Sequence, residues 1–199
     1  RHSFPTRRSS DLGVDENRNM LILNDKDEQI PISQADAKYK RYIGNGAPKH
    51  FLSWSNNLTW RNFDLSVFFR GTFGFDVFNM RKYGMGLQGC GTDNVLRSAY
   101  LEDKNIRTGG GVISSYFLED GSFIKLENVT LGYNFTPKNR KLLDNMRIYL
   151  SAKNLFTLTG YSGNDPSIID VNGIQPGVDS NSAYPTATQL SLGVTLRFK

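Results

Sequence analysis

Over residues 187–199 the apolar and polar positions alternate without a miss. Leu190, Leu192, Val194, Leu196 and Phe198 share one parity, and Gln189, Ser191, Gly193, Thr195 and Arg197 the other. Side chains of a strand point alternately to its two faces, so this pattern predicts a strand with one apolar and one polar face. Two settings suit it: the wall of a transmembrane β-barrel, or the last strand of a soluble sandwich.

The same alternation recurs upstream. Residues 51–60 and 63–73 predict two strands joined by the two-residue turn Arg61-Asn62. That turn sets Trp60 against Phe63, Leu58 against Leu65, Trp54 against Phe69 and Leu52 against Gly71, apolar facing apolar. Thr59 with Asp64, Asn57 with Ser66 and Ser53 with Arg70 fall on the other side. Asn56, opposite Val67, is the one polar intruder on the apolar side. Residues 122–135 predict a further strand whose phase slips near Glu127 and Asn128. Ile124 and Leu126 have one parity, and Val129, Leu131, Tyr133 and Phe135 the other, so a β-bulge is expected there. Residues 146–157 predict a strand with Met146, Ile148, Leu150 and Ala152 on one face.

Five strands result, and their connectors alternate short, long, short, long. Residues 74–121, with glycines at 84, 86, 89, 91 and 109–111, and residues 158–186, rich in Gly, Asp, Asn, Ser and Pro, are the long ones. Residues 13–50 read as a polar, irregular lead-in, with the solvated charge run Asp25-Lys26-Asp27-Glu28. Outer-membrane barrels show this asymmetry, with short periplasmic turns and long extracellular loops, whereas a soluble sandwich has no reason for it. On this reading residues 13–50 are an extracellular loop leading into the first strand. Residues 51–199 are C-terminal barrel strands, and Trp60 and Phe63 sit in the periplasmic-side aromatic girdle. Five strands cannot close a barrel, which needs about eight, so a piece of a larger barrel is expected.

Composition narrows the field. Of 199 residues, 38% are hydrophobic and 12% aromatic, and no apolar run is long enough for a membrane-spanning helix. The single cysteine, Cys90, can form no intrachain disulfide. Residues 2–12, His-Ser-Phe-Pro-Thr-Arg-Arg-Ser-Ser-Asp-Leu, read as the translation of a sequencing-adapter oligonucleotide. Residues 1–12 are therefore expected to be non-native, an expectation that adapter sequence in the raw reads at this position would establish. Setting them aside lowers Lys+Arg from 24 to 21 and Asp+Glu from 19 to 18, so the net charge falls from +5 to +3. A nucleic-acid partner loses its main support with them.

The candidate chemistry is sparse. Glu119, Asp120 and Glu127 cluster in sequence but form no matched acid–base pair, and are expected to be solvated at a strand lead-in. Asp165, Asp170, Asn172 and Asp179 do not have EF-hand spacing. His50 and Cys90 lack partners for zinc or nucleophilic chemistry. The glycines at 84–91 and 109–111 do not open a helix after a strand, which argues against phosphate binding. Tyr83, Tyr100, Tyr116 and Tyr161 could stack on sugar rings or simply pack the loops. No catalytic residue, metal ligand or cofactor site is assigned, no enzymatic motif is present, and the substrate-binding residues are left open.

Several segments resemble the C-terminal part of the SusC/RagA-type TonB-dependent outer-membrane transporters of Bacteroidota-like bacteria. Tyr116-Phe117-Leu118-Glu119-Asp120-Gly121-Ser122-Phe123-Ile124-Lys125-Leu126-Glu127-Asn128-Val129-Thr130-Leu131-Gly132-Tyr133 is similar, nearly residue for residue, to that family's "EDGSFLRLKNVTLGY" strand. Asn154-Leu155-Phe156-Thr157-Leu158-Thr159-Gly160-Tyr161-Ser162-Gly163-Asn164-Asp165-Pro166 resembles a second signature. Tyr42-Ile43-Gly44-Asn45-Gly46-Ala47-Pro48-Lys49 resembles the "IGNPxP" segment before the first hairpin, and Tyr184-Pro185 is similar to the dipeptide before the last strand. Ser167, Thr188 and the terminal Lys199 depart from the family's usual residues.

The resemblance implies an all-β fold, an antiparallel transmembrane β-barrel fragment of about five C-terminal strands from a plugged barrel of about 22. It implies nutrient import at the outer membrane, with a SusD-like surface lipoprotein that captures glycan or peptide, and with energy from the TonB complex. The plug, the TonB-contacting segment and the signal peptide would lie upstream. The competing expectation is a soluble β-rich carbohydrate-binding module, and a need for detergent separates the two.

Overall fold

The computed structural model describes residues 3–5, 14–88, 94–101, 106–107, 112–137, 142–169, 174–180 and 184–199. In chain order the strands are β1 (Ser3–Pro5), β2 (Leu21–Leu23), β3 (Gln29–Pro31), β4 (Tyr42–Asn45), β5 (His50–Trp60), β6 (Phe63–Phe73), β7 (Asp76–Asn79), β8 (Leu118–Asp120), β9 (Phe123–Phe135), β10 (Leu143–Thr159), β11 (Val178–Asp179) and β12 (Gln189–Phe198). Two short helices are α1 (Met80–Met85) and α2 (Ser98–Leu101). Among the described residues no helix is long and apolar enough to cross a membrane. The chain divides into two compact units, residues 50–73, 122–160 and 185–199, and residues 1–49, 74–121 and 161–184.

The first of these is a single antiparallel sheet in the order β5-β6-β9-β10-β12. It contains the five strands that the alternation predicts, each paired with its neighbour in chain order. The predicted hairpin register holds at every pair, from Trp60 opposite Phe63 to Leu52 opposite Gly71. Arg61 closes the turn at φ 53°, a left-handed conformation that Gly or Asn adopts at lower cost.

Register carries the alternation across the whole sheet. One ribbon runs Trp60, Phe63, Tyr133, Ile148, Val194, and the next runs Leu58, Leu65, Leu131, Leu150, Leu192. The third runs Asn56, Val67, Val129, Ala152, Leu190. One face is therefore apolar from edge to edge, because a period of two leaves no way to mix the faces once register is set. Leu192 is 76% exposed and Trp60 66%. A Leu or Phe kept from burial forgoes about 1.5–3 kcal/mol, so this face is built for apolar surroundings. Asn56 stands out on it, because its Oδ1 is shielded and has no hydrogen-bond partner.

The expected β-bulge is present at Glu127. On the β6 side Phe68 pairs with Asn128 and Phe69 with Leu126, so Glu127 has no counterpart. On the β10 side Lys153 pairs with Asn128 and Phe156 with Leu126, so Asn154 and Leu155 stand against Glu127 alone. Asn154 absorbs the irregularity at φ 52°, a region that Asn enters more readily than most residues. The bulge returns Ile124 and Leu126 to the apolar face that Val129, Leu131 and Tyr133 occupy.

The other unit corrects the sequence reading, which treats residues 13–50 and 74–121 as irregular. Met20, Ile22, Ile32, Phe78, Leu87, Ile106, Tyr116 and Phe117 form a buried apolar core. Phe117 is fully buried, and the rings of Phe78, Tyr83 and Tyr116 pack edge-on around it, with centroids 5.2 to 6.2 Å away. These residues come from separated stretches and follow neither helical nor strand periodicity, which is why the pattern does not reveal them. β2 and β3 pair as a hairpin whose tip is the charge run at 25–28, held by Asn24 Oδ1 accepting from the amides of Lys26 and Glu28 at 2.9 Å each. β7 lies between β8 and β11, antiparallel to the first and parallel to the second. β1 pairs antiparallel with β4.

Candidate functional site

The reverse face of the sheet is polar and cross-linked. Asp64 on β6 and Arg147 on β10 reach past Gly132 on β9: Nε donates to Oδ1 at 3.1 Å and Nη2 to Oδ2. Asn134 adds a third donor, from Nδ2 to Asp64 Oδ1 at 2.8 Å. A Cβ on Gly132 would lie 2.5 Å from both carboxylate oxygens and 2.8 Å from Arg147 Nε, so only glycine leaves room for this pair. Arg70 Nε donates to Glu127 Oε1 at 3.1 Å, which ties the bulge to β6. Thr130 donates to Ser151 Oγ at 3.0 Å, and Lys125 Nζ, on a residue only 1% exposed, donates to Thr186 Oγ1 at 2.6 Å. Gly193 is covered by the ring of Tyr149, 2.3 Å from where its Cβ would stand. A sheet with lipid-compatible side chains on one face and this bonded polar lattice on the other has the two-sidedness of a barrel wall.

The loop unit contains the second cluster. The sequence places Glu119 among solvated charges, but its side chain is 15% exposed and ringed by donors. Oε2 accepts from the Ser162 amide at 2.8 Å, and Oε1 from Ser162 Oγ at 2.8 Å and Asn79 Nδ2 at 3.2 Å. Lys82 Nζ stands 3.8 Å away, and 4.3 Å from the Tyr116 ring centroid. The donors come from stretches about forty residues away on either side, which no local pattern shows. Asn79 also caps α1, with Oδ1 accepting from the Lys82 amide at 2.9 Å.

The other candidates disperse. Asp120 lies opposite Asp76 in the β7–β8 pair, and Glu127 is the sheet residue bonded to Arg70. Of the four tyrosines, Tyr116 and Tyr161 are buried at 8% and 6%, Tyr83 is half-buried in the Phe117 cluster, and Tyr100 is exposed. Tyr161 donates to Asp179 Oδ2 at 2.6 Å, and burial, then that carboxylate, pushes its phenol well above the ordinary tyrosine range. Asp165 accepts from the Ser167 amide at 2.9 Å at the start of a short 3-10 turn. Among the described residues no three His, Cys, Asp or Glu side chains gather in a metal-binding arrangement. His50 begins β5 at an exposed position. Gly84 lies within α1 and Gly86 caps its C-terminus, so neither opens a helix. Cys90, Gly89, Gly91, Gly109, Gly110, Gly111, Asp170 and Asn172 lie outside the described residues.

No family model matches the chain. Among curated proteins it is similar to the TonB-dependent receptor P3 of Formosa agariphila, 27% identical over 198 residues, which is 89% of this chain and 19% of that one. It is also similar to the TonB-dependent receptor SusC of Bacteroides thetaiotaomicron, 28% identical over 153 residues, 72% of this chain and 14% of SusC. Among solved structures it superposes on the RagAB peptide transporter with a TM-score of 0.77 at 23% identity, covering 98% of this chain and 23% of that chain. The RagAB peptide importer in its 'closed-closed' state gives a TM-score of 0.72 at 23% identity, covering 92% of this chain and 22% of that one. The chain thus spans about a fifth of the length of the curated relatives it matches. In its sequence the chain is thus similar to the TonB-dependent receptors, SusC among them, and in its strand order and two-faced sheet it shares the fold of the RagAB transporter.

Proposed function

We propose that this chain is part of an outer-membrane, TonB-dependent transporter that imports oligosaccharides or peptides with a surface lipoprotein as partner. The observation that carries the reading is the edge-to-edge apolar face of the five-stranded sheet, on which Leu192 and Leu190 remain 76% and 70% exposed. Strands of about ten residues, tilted as barrel strands are, cover a hydrocarbon band about 25 Å tall, and β5, β6 and β12 have that length. The polar lattice around Asp64 and Arg147 would then line the lumen. The long connectors would face the exterior, where a capturing lipoprotein can reach them. The relatives are named as receptors and a peptide transporter, which supports import rather than catalysis.

The test is to recover the complete gene from the genomic locus and express it in a host with an outer membrane. The protein is expected to fractionate with that membrane and to need detergent for extraction. Deleting the gene should abolish growth on one class of oligosaccharide or peptide while leaving growth on simple sugars intact. A product that is soluble without detergent would replace this reading with the soluble β-rich module.

A further inference from the structure

Five ribbons of apolar side chains cross the sheet, from the one that starts at Trp60 to the one that runs Leu52, Gly71, Ile124, Leu158. Asn56 stands in the third of them, at mid-height, where its ribbon otherwise holds Val67, Val129, Ala152 and Leu190. Every other residue of β5 is exposed, and Asn56 alone is partly buried. Its Oδ1 is shielded and has no hydrogen-bond partner. Val67 lies directly opposite, and Trp54 and Leu58 flank it on its own face, and none of them brings a donor to that oxygen.

An amide without a partner is costly in apolar surroundings, and an aliphatic residue would suit the site better if lipid were its only neighbour. Val67 closes the inner side of Asn56, and its open side is the edge of the sheet, because β5 has a strand neighbour on one side only. In a membrane the outward N–H and C=O groups of β5 themselves require a second strand, since no water reaches them. Side chains directly opposite on adjacent strands have Cβ atoms about 4.5–5.5 Å apart. A side-chain amide turns about its terminal torsion at little cost, so Asn56 can present its polar atoms to a strand laid along that edge.

We propose that the strand added at the free edge of β5 carries a hydrogen-bonding side chain opposite Asn56, and that this polar pair fixes the register of the junction. A slip of two residues keeps apolar side chains on the apolar face, so alternation alone does not prevent it, whereas a single polar pair at mid-height does. The proposal rests on the import reading, in which that strand belongs to the part of the transporter upstream of residue 13. It adds the kind of residue that strand must present.

The experiment uses the full-length protein in outer membranes, in a Cys90→Ser background. Asn56→Cys is combined in turn with single cysteines along the strand that precedes residue 13, and the disulfide formed under mild oxidation is located by mass spectrometry. The expected partner is a position whose native side chain can hydrogen-bond. Asn56→Leu should lower the folded-to-unfolded ratio roughly 5- to 100-fold in urea titrations in lipid vesicles, because it leaves that partner unpaired. Replacing the partner by Leu as well should recover most of the loss. A disulfide to a natively apolar position, none to that strand, or a gain in stability from Asn56→Leu would overturn the proposal. A disulfide between two copies, migrating at twice the mass, would also overturn it and assign the site to a second molecule. Each of these leaves the import reading intact, whereas a soluble product would remove both.

Discussion

Arg147 holds Asp64 across the bare backbone of Gly132, two strands joined over the back of a third. The carboxylate collects a further hydrogen bond from Asn134, so three strands converge on one side chain. Substituting Gly132 by Ala should push a methyl group into both partners and destabilise the sheet by about 1–3 kcal/mol. Asp64→Ala should cost about 1–3 kcal/mol by leaving Arg147 without its partner. The double variant Asp64→Ala, Arg147→Ala should cost less than the sum of the singles. Urea unfolding of the full-length protein in lipid vesicles measures all three, and simple additivity would mean that the pair contributes nothing.

The two faces of β12 should respond oppositely to charge. Leu192→Arg places a guanidinium on the apolar face near mid-height, where such substitutions cost about 2–4 kcal/mol in membrane barrels. Ser191→Arg, one residue away, points it to the polar face and should be tolerated. Outer-membrane protein levels by immunoblot are expected to fall for the first variant alone. Equal loss would remove the assignment of faces.

Tyr161 and Asp179 make a pH-dependent clasp. Burial, then the hydrogen bond to Asp179, raises the Tyr161 pKa in the folded state. The stabilisation is therefore complete below the unfolded tyrosine pKa of about 10 and is lost as pH rises through the higher folded value. Difference absorbance between wild type and Tyr161→Phe should show this phenol still neutral at pH about 11, where exposed tyrosines have ionised. Ionisation near the ordinary value would contradict the clasp. The Phe variant should lose about 1.5–3 kcal/mol locally, because Asp179 keeps its charge and loses the hydrogen bond from Tyr161.

Glu119 is expected to act as the fastener of the loop unit. Glu119→Ala strips acceptors from the Ser162 amide and hydroxyl, Asn79 and Lys82 together. Hydrogen exchange at the Ser162 amide should speed up by roughly 10- to 100-fold, the equivalent of one lost charge-assisted hydrogen bond. Unchanged exchange would show that the loop ends are held by something else.

The sheet was legible in the sequence because its information is local. A period of two and a two-residue turn fix which residues face each other from Trp60 to Leu52, and the parity change between Leu126 and Val129 marks the bulge at Glu127. The polar lattice was not legible, because Asp64 and Arg147 lie on strands 83 residues apart in the chain with a third strand between them. Nor was the loop core. Met20, Phe78, Ile106 and Phe117 carry no repeating interval, and stretches rich in Gly and polar residues conceal how well they pack. Glu119 was misread as solvated for the same reason, since what surrounds it is set by tertiary closure.

β5 and β12 flank the sheet, and each has a strand neighbour on one side only within it. Their outward backbone groups are a ready template for another strand, and they border an apolar face. Produced by itself in water, the chain would therefore tend to recruit its own copies edge to edge and precipitate as stacked sheets. Practical work on it begins with covering those two edges and the apolar face, in a refolding mixture that contains detergent from the first step.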